Sequence, residues 1–415
     1  MAHMATPSSL SQRIETALAH RPALRTIILV FFLLLLLILF ASLIHLTLRD
    51  NTIGMDYYTF WLAGQRVLQG QNPYDETVAI QSQLGIMRRL AGPEDDQMGF
   101  AYPPYALLPT LPFALLPFDW AQAFWLAFCF LTLVSALYAT QPTRAIPLMA
   151  IVLTFFPVTF GLLLGNFVIL ISAILLIFFA IVVFGNHHST AIQIVLGALL
   201  AWTTIKPQFI VLYLLFIALY TLKKRLWTLG LSFIITSISL LLLSFMLVPG
   251  WPSLWLERIA RYANYMHTLP MLLFLVRSSF PPLITILVTS LLALLSIWVG
   301  LFLLRLWQQN RLPLPVLLAW LGLCAYLLHP RNVAYAQIAF LLPFFFWLLT
   351  QPSWRSRPIP LFLLIGICGS WIIFALAKLL PAPNLADELR LALYALWCLW
   401  LFSKTFFKQE LPHAT

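Results

Sequence analysis

Hydrophobic residues in this chain come in long blocks rather than alternating with polar ones. Apolar runs occupy roughly 26–48, 104–118, 119–140, 145–163, 166–185, 191–222, 226–248, 280–305, 313–328, 333–350, 359–378 and 388–403. The first, TIILVFFLLLLLILFASLIHLTL, exceeds the roughly 20 apolar residues that carry a helix across a bilayer. It is longer than the hydrophobic part of a secretion signal, and no small-residue cleavage site follows it, so we expect it to be retained as a first span. The pattern predicts an all-α polytopic membrane protein, a single domain over 1–415, with about twelve transmembrane helices. The 104–118 run and the 166–222 region are short or long for one span and are expected to contain tilted, broken or re-entrant pieces, which must be surrounded by protein or water.

Composition supports this class. The chain is 62% hydrophobic and only 9% charged, against about 25% charged in soluble proteins. The net charge of +11 would fit a nucleic-acid binder if it were clustered, but it sorts by side. With the N-terminus on the cytoplasmic face, the inner segments hold twelve Lys and Arg against three acids, Asp119 among them, and the outer segments hold eleven against ten. Basic residues concentrate on the inner side of membrane proteins, so no nucleic acid is needed to explain the excess, and part of it suits anionic membrane lipids. Cys129, Cys324, Cys368 and Cys398 lie in apolar runs with no CxxC pair and read as small lipid- or core-facing residues.

Two outer loops are long, about 49–103 and 249–279, and the first holds seven of the thirteen acids. Function is expected on this elaborated outer face. In GMDYYTFWLAGQRVLQGQNPYD the stretch from Tyr57 to Gln69 predicts an amphipathic helix, its ring stripe resting on the outer leaflet. Gly70 ends it, Asn72-Pro73 turns the chain, and a second interfacial helix is expected from Asp75 to about Leu90. Asp56 has two readings, which are compatible. It is an N-cap, or a general base whose pKa is raised among aromatic neighbours such as Tyr57. Glu94-Asp95-Asp96, between glycines and a proline, reads as a hydrated loop rather than a metal site. Tyr102-Pro103-Pro104 leads back into the membrane.

Ionisable residues inside apolar runs point to function. Lys206, in WTTIKPQF, stands where Pro207 breaks a helix, placed to meet a phosphate, with Gln208 beside it; a lysine snorkelling to the interface is the plain alternative. In LLHPRNVAYAQ, Arg331 suits a phosphate and His329 a proton relay, with Tyr335 and Gln337 expected to line the same cavity. Gly165-Asn166 is a turn or a site element. Arg258, Arg261, Tyr262, Tyr265 and His267 form a basic aromatic patch, either a surface helix on lipid heads or a gate or acceptor site. No P-loop, GxGxxG, HExxH or GxSxG occurs, so nucleotide and hydrolase chemistry get no support. The absence of internal repeats weakens the commonest transporter architecture.

Together the Asp-Tyr pair of the first outer loop, G-x-NPYD, YPP, KPQ and the late HPR resemble the GT-C glycosyltransferases, in particular glycosyltransferase family 87, which includes a mycobacterial phosphatidylinositol mannoside mannosyltransferase and related arabinofuranosyltransferases. The stretch from Asp56 to Pro104 carries the specific part. The resemblance implies a bacterial inner-membrane enzyme with no metal or other cofactor. It would transfer a sugar, mannose first, with inversion from a polyprenyl-monophosphate donor to a lipid or glycan acceptor at the outer face. It places the catalytic base at Asp56 and gives His329 a role; Lys206 and Arg331 are expected to hold the donor phosphate, with Tyr57, Tyr102, Gln208 and Tyr335 around the substrate. The family often has Gln after the glycine where this chain has Gly165-Asn166. A flippase or solute transporter is the reading from another class, and it predicts cavities opening alternately to each side.

Overall fold

The computed structural model describes residues 22–49, 51–93, 95–266, 270–277, 279–328, 334–351, 364–379 and 385–407. These are helical throughout, with no strand among the described residues. In chain order the α-helices are α1 (Pro22–Leu48), α2 (Met55–Leu68), α3 (Glu76–Met87), α4 (Leu111–Ala114), α5 (Phe118–Thr140), α6 (Ala145–Thr154), α7 (Phe156–Leu164), α8 (Val168–Phe178), α9 (Thr190–Thr203), α10 (Pro207–Lys224), α11 (Trp227–Leu247), α12 (Trp251–Met266), α13 (Met271–Arg277), α14 (Pro282–Gln308), α15 (Leu314–Leu328), α16 (Leu341–Leu349), α17 (Gly369–Leu379) and α18 (Leu385–Phe407). Among the described residues five helices are long and apolar enough to cross a membrane: Thr26–Leu48, Phe118–Thr140, Pro207–Lys224, Trp227–Leu247 and Pro282–Gln308. A sixth arises if α6 and α7, bent by 75°, form one broken span.

The outer surface of these helices belongs in lipid. Phe31, Leu39 and Leu46 on α1, and Leu283, Leu291 and Trp298 on α14, are each more than half exposed. Water would not tolerate so large an apolar patch, whereas lipid tails are as apolar as the side chains. Association then rests on close packing of small residues and on hydrogen bonds. Gly197 lets α9 press on α11, where a Cβ would come within 2.5 Å of the Leu229 carbonyl oxygen, and Ser232 Oγ donates to the Ile194 carbonyl at 2.8 Å or less, 2.7 Å. The core proper is aromatic: Trp125, Tyr57, Tyr213, Phe167, Phe179 and Phe345 are fully buried.

Two of the expected spans are corrected. The 104–118 run is not a crossing. It forms a 3-10 turn at Pro104–Leu107 and the four-residue α4, because five prolines between 103 and 117 remove amide donors and break any longer helix. The segment folds against α2 instead: Trp61 Nε1 donates to the Leu116 carbonyl at 3.0 Å and Gln65 Nε2 to the Ala114 carbonyl at 3.4 Å. Conversely, the 191–222 run is two helices, α9 and α10, separated at Thr204–Lys206 with Pro207 opening the second.

These corrections move two charged residues. Asp119 opens α5 beside the end of α1, 3.6 Å from His45 Nδ1, so it shares an end with the first loop rather than the inner side. Arg144, which the run count places outside, donates to the Gln351 carbonyl at 3.3 Å, at the far end of α5. Both moves sharpen the charge asymmetry. In a background lacking the four cysteines, Asp119→Cys is expected to react with a membrane-impermeant maleimide from the same side as Glu76→Cys. Arg144→Cys should react from the opposite side. Labelling of all three from one side would contradict this arrangement.

Candidate functional site

The site is built around the start of α2. That helix has Gly54 as its N-cap, with no side-chain cap. Its entry is held from α5: Gln122 Oε1 accepts from the Ile53 and Gly54 amides at 2.8 and 2.9 Å, and Gln122 Nε2 donates to the Asn51 carbonyl at 3.0 Å. Asp56 therefore has no capping duty, and the N-cap reading of it is set aside. Its carboxylate turns instead to the junction of α7 and α8.

That junction is Gly165-Asn166. Gly165 ends α7 in the left-handed region, φ +66°, where a glycine carries no Cβ penalty. It also lies against Tyr57, whose Cβ would be 2.8 Å from a Cβ at position 165, and its carbonyl accepts from Trp125 Nε1 at 2.7 Å. The next residue, Asn166, is fully buried and uses both ends of its amide. Oδ1 accepts from the Val168 amide at 3.0 Å, and Nδ2 donates to Asp56 Oδ2 at 2.5 Å. One residue thus caps α8 and aims the carboxylate.

Lys206 sits at the α9–α10 break as the residue preceding Pro207. It is 2% exposed. Its Nζ lies 4.1 Å from the centroid of the Tyr335 ring and has no hydrogen-bond partner, an arrangement worth a cation–π attraction but not a counterion. Lys206 is close enough to act on Asp56 through charge. Burial pushes the Asp56 carboxyl up from the ordinary 3.8; the Asn166 hydrogen bond and Lys206 pull it down, and Asp96 adds to the rise. Asp56 keeps part of its surface although protein surrounds it closely, so both the desolvation and the access are real. Asp96 is itself half-buried, with a carboxyl raised by burial and drawn down by the Met98 amide and by Arg258.

The other expected residues separate into groups. Tyr57 is fully buried, its ring 5.3 Å from that of Trp125, and its hydroxyl has no partner; burial pushes it well above 10.0, so it stays protonated. Tyr102 is half-buried against Phe60 and Phe167. Tyr335 carries Lys206. Gln208 is exposed and does not join the buried group. His329 and Arg331 lie outside the described residues, as do Glu94 and His267.

The structure also reassigns the rings of the first loop. Tyr57 and Phe60 face α5 and Phe167 inside the protein, so α2 is fastened to the bundle rather than laid on the leaflet. The helix expected from Asp75 runs Glu76–Met87, with Asp75 Oδ1 accepting from the Thr77 amide at 2.8 Å. NPYD is a fastening: Asn72 Oδ1 accepts from the Tyr74 amide at 2.9 Å, and the Tyr74 hydroxyl donates to the Tyr102 carbonyl at 2.7 Å. Arg66, taken at first for a lipid-head contact, donates to Gln71 Oε1 at 2.5 Å and Gln81 Oε1 at 3.3 Å, tying the turn to α3. The residues that sequence reasoning underrated are Gln122, Asn166 and Asp96. An isolated Gln inside FDWAQAFW was the available signal for the first.

Comparison with known protein families, curated proteins and solved structures finds no match to this chain.

A carboxyl with a raised native pKa binds its proton more tightly folded than unfolded. The native state therefore gains stability as pH falls toward 3.8 and loses it as pH rises through the raised value. Asp56→Asn resembles the protonated form, so it is expected to melt above the parent at pH 7.5 in detergent, with the gap closing toward pH 5. A lower melting point at both pH values would count against this account. Gly165→Ala should cost about 1–3 kcal/mol through the positive φ and the crowding of Tyr57, read as a lower melting temperature.

Proposed function

We propose that this chain is an integral-membrane glycosyltransferase of the GT-C kind. It would move a sugar, mannose in the first instance, from a polyprenyl monophosphate to a lipid or glycan acceptor. The observation that carries the reading is a carboxylate with no capping role, aimed by Asn166, beside a buried lysine whose ammonium has no counterion. The resemblance of the Asp56–Pro104 stretch to glycosyltransferase family 87 supplies the reaction.

The chemistry follows from that inventory. Asn166 holds Oδ2 of Asp56, and no hydrogen bond occupies Oδ1. Oδ1 takes the proton of the acceptor hydroxyl as its oxygen forms a bond to the anomeric carbon. The bond from that carbon to the phosphate oxygen breaks on the opposite face, and the configuration inverts. The electron pair leaves with the phosphate, whose charge Lys206 meets in a site shielded from water, where such stabilisation is strongest. A phosphate leaving group needs no proton from the enzyme. A base with a raised pKa is better matched to neutral pH than an ordinary carboxylate.

An apolar groove of about 330 Å³ suits the polyprenyl tail. It runs along α10 past Leu212, Leu215 and Leu219 to Trp320 and Leu327, starting six residues beyond Lys206. At the helical rise of about 1.5 Å per residue this is roughly 9 Å from the lysine.

For the chain as a whole we infer twelve crossings. The span lost at 104–118 is replaced by the division of 191–222, with the shorter helices α8, α9, α15, α16 and α17 crossing as well. Asp56, Lys206 and Tyr335 then share the outer end, on the periplasmic or extracellular side of a bacterial plasma membrane, with the N-terminus inside.

Purified protein should transfer labelled sugar from polyprenyl-phosphate-sugar to a lipid acceptor, and Asp56→Asn should lose at least about 100-fold in rate while remaining folded. Equal rates would remove Asp56 from the role of base. As pH falls, the parent rate should drop through the raised Asp56 pKa. Asn166→Ala removes a hydrogen bond that lowers this pKa and should move the acid limb to higher pH.

A further inference from the structure

Arg258 lies on α12, the helix of the second outer loop. The default for that loop is a surface helix on lipid heads, and Arg258 does not fit it: the side chain is 6% exposed. Trp255, one turn earlier, donates from Nε1 to the Ala101 carbonyl at 3.1 Å, which docks α12 on the segment after the first loop's acidic run. The guanidinium is pressed against Gly99, where any Cβ would overlap it.

The nitrogens of this guanidinium are informative. Nε and Nη2 are both buried and both lack a hydrogen-bond partner. These two share one edge of the guanidinium plane and direct their hydrogens in parallel, the edge that receives the two oxygens of a phosphate or carboxylate. Burying a charged fork with that edge empty is costly. Asp96 is near enough for its charge to act on Arg258, but no ion pair joins them among the described residues, and Asp96 Oδ1 is engaged by the Met98 amide at 2.9 Å.

The electrostatic neighbours run in a series. Lys206 acts on Asp56, Asp56 and Asp96 act on each other, and Asp96 faces Arg258. Two buried cations without counterions therefore stand at the two ends of a pair of carboxyls. Lys206 serves the leaving phosphate in the reaction proposed above.

We propose that the Nε–Nη2 edge of Arg258 is a second anion site, which binds a phosphate group of the acceptor. The acceptor class is then a phosphate-bearing lipid rather than a neutral glycan. Gly99 is the positioning residue that leaves room for the fork. The assignment of this phosphate to an acceptor rests on the transferase reading; the anion site itself does not.

Binding separates the two. Decyl phosphate is titrated into the full chain in maltoside detergent and followed by melting temperature and by calorimetry, with inorganic phosphate and decyl maltoside as comparison ligands. Two saturable phosphate sites are expected for the parent. Arg258→Gln should lose one and Lys206→Met the other, each weakening its site about 10- to 100-fold. Arg258→Lys should not restore binding, since an ammonium has no two-donor edge. Gly99→Ala should mimic Arg258→Gln with the arginine still present, which guards against a variant that merely misfolds. Preference for decyl phosphate over inorganic phosphate identifies a lipid-borne group, and equal affinity identifies a free-phosphate site and overturns the acceptor assignment. If Arg258→Gln and Gly99→Ala bind decyl phosphate as the parent does, there is no anion site at Arg258. Loss of binding in these variants without any sugar transfer by the parent would keep the site and remove the transferase reading.

Discussion

A carboxylate brought among protein atoms without an ion pair has to be stabilised by fixed dipoles, and here that burden falls on one asparagine. Asn166 binds Asp56 through its amide nitrogen and the start of α8 through its oxygen. Everything around the pair serves its placement. Gln122 takes over the amides at the entry of α2, which frees the aspartate. Gly165 brings the α7–α8 turn against Tyr57, and Trp125 locks that turn by its carbonyl. A site assembled in this way is stiff, because each partner is itself held by a second contact.

The cations are treated differently. Lys206 and Arg258 are buried with nitrogens that have no partner, so the folded chain holds positive charge for which it supplies no matching negative charge at bonding distance. That imbalance is unfavourable to stability and favourable to an anionic ligand. It fits the general trade by which proteins give up stability at functional sites.

Much of the architecture was legible in the hydropathy pattern, and the misreadings have identifiable causes. Length alone made 104–118 look like a span, yet its five prolines rule out a helix of that length. Length also merged α9 and α10, although Pro207 already marked their division. The candidate site was legible where chemistry is local: Asp56 and Lys206 stood out as charges in apolar surroundings. Asn166 did not, because Gly-Asn is a common turn and its value lies in a contact 110 positions away in sequence. The aromatic stripe of α2 was legible as a stripe, but periodicity cannot tell a face that meets lipid from one that meets Trp125 and Phe167.

The separateness of α1 has a consequence for synthesis. It meets α5 through a small patch of its own, Ala41 against Ala123 and Ala127 with Leu37, Phe40 and Ile44 around them, apart from the main core. About 70 residues separate the end of α1 from the start of α5, and at the usual pace of about 5–20 residues per second the ribosome needs roughly 4–14 s to supply that partner. During this interval α1 stands alone in the bilayer, with the aspartate just beyond it already made. Asn166 emerges later still, and Lys206 after that. The carboxylate that the finished protein holds most tightly is thus among the first of its site to leave the ribosome, and it spends the early life of the chain with no partner to hold it.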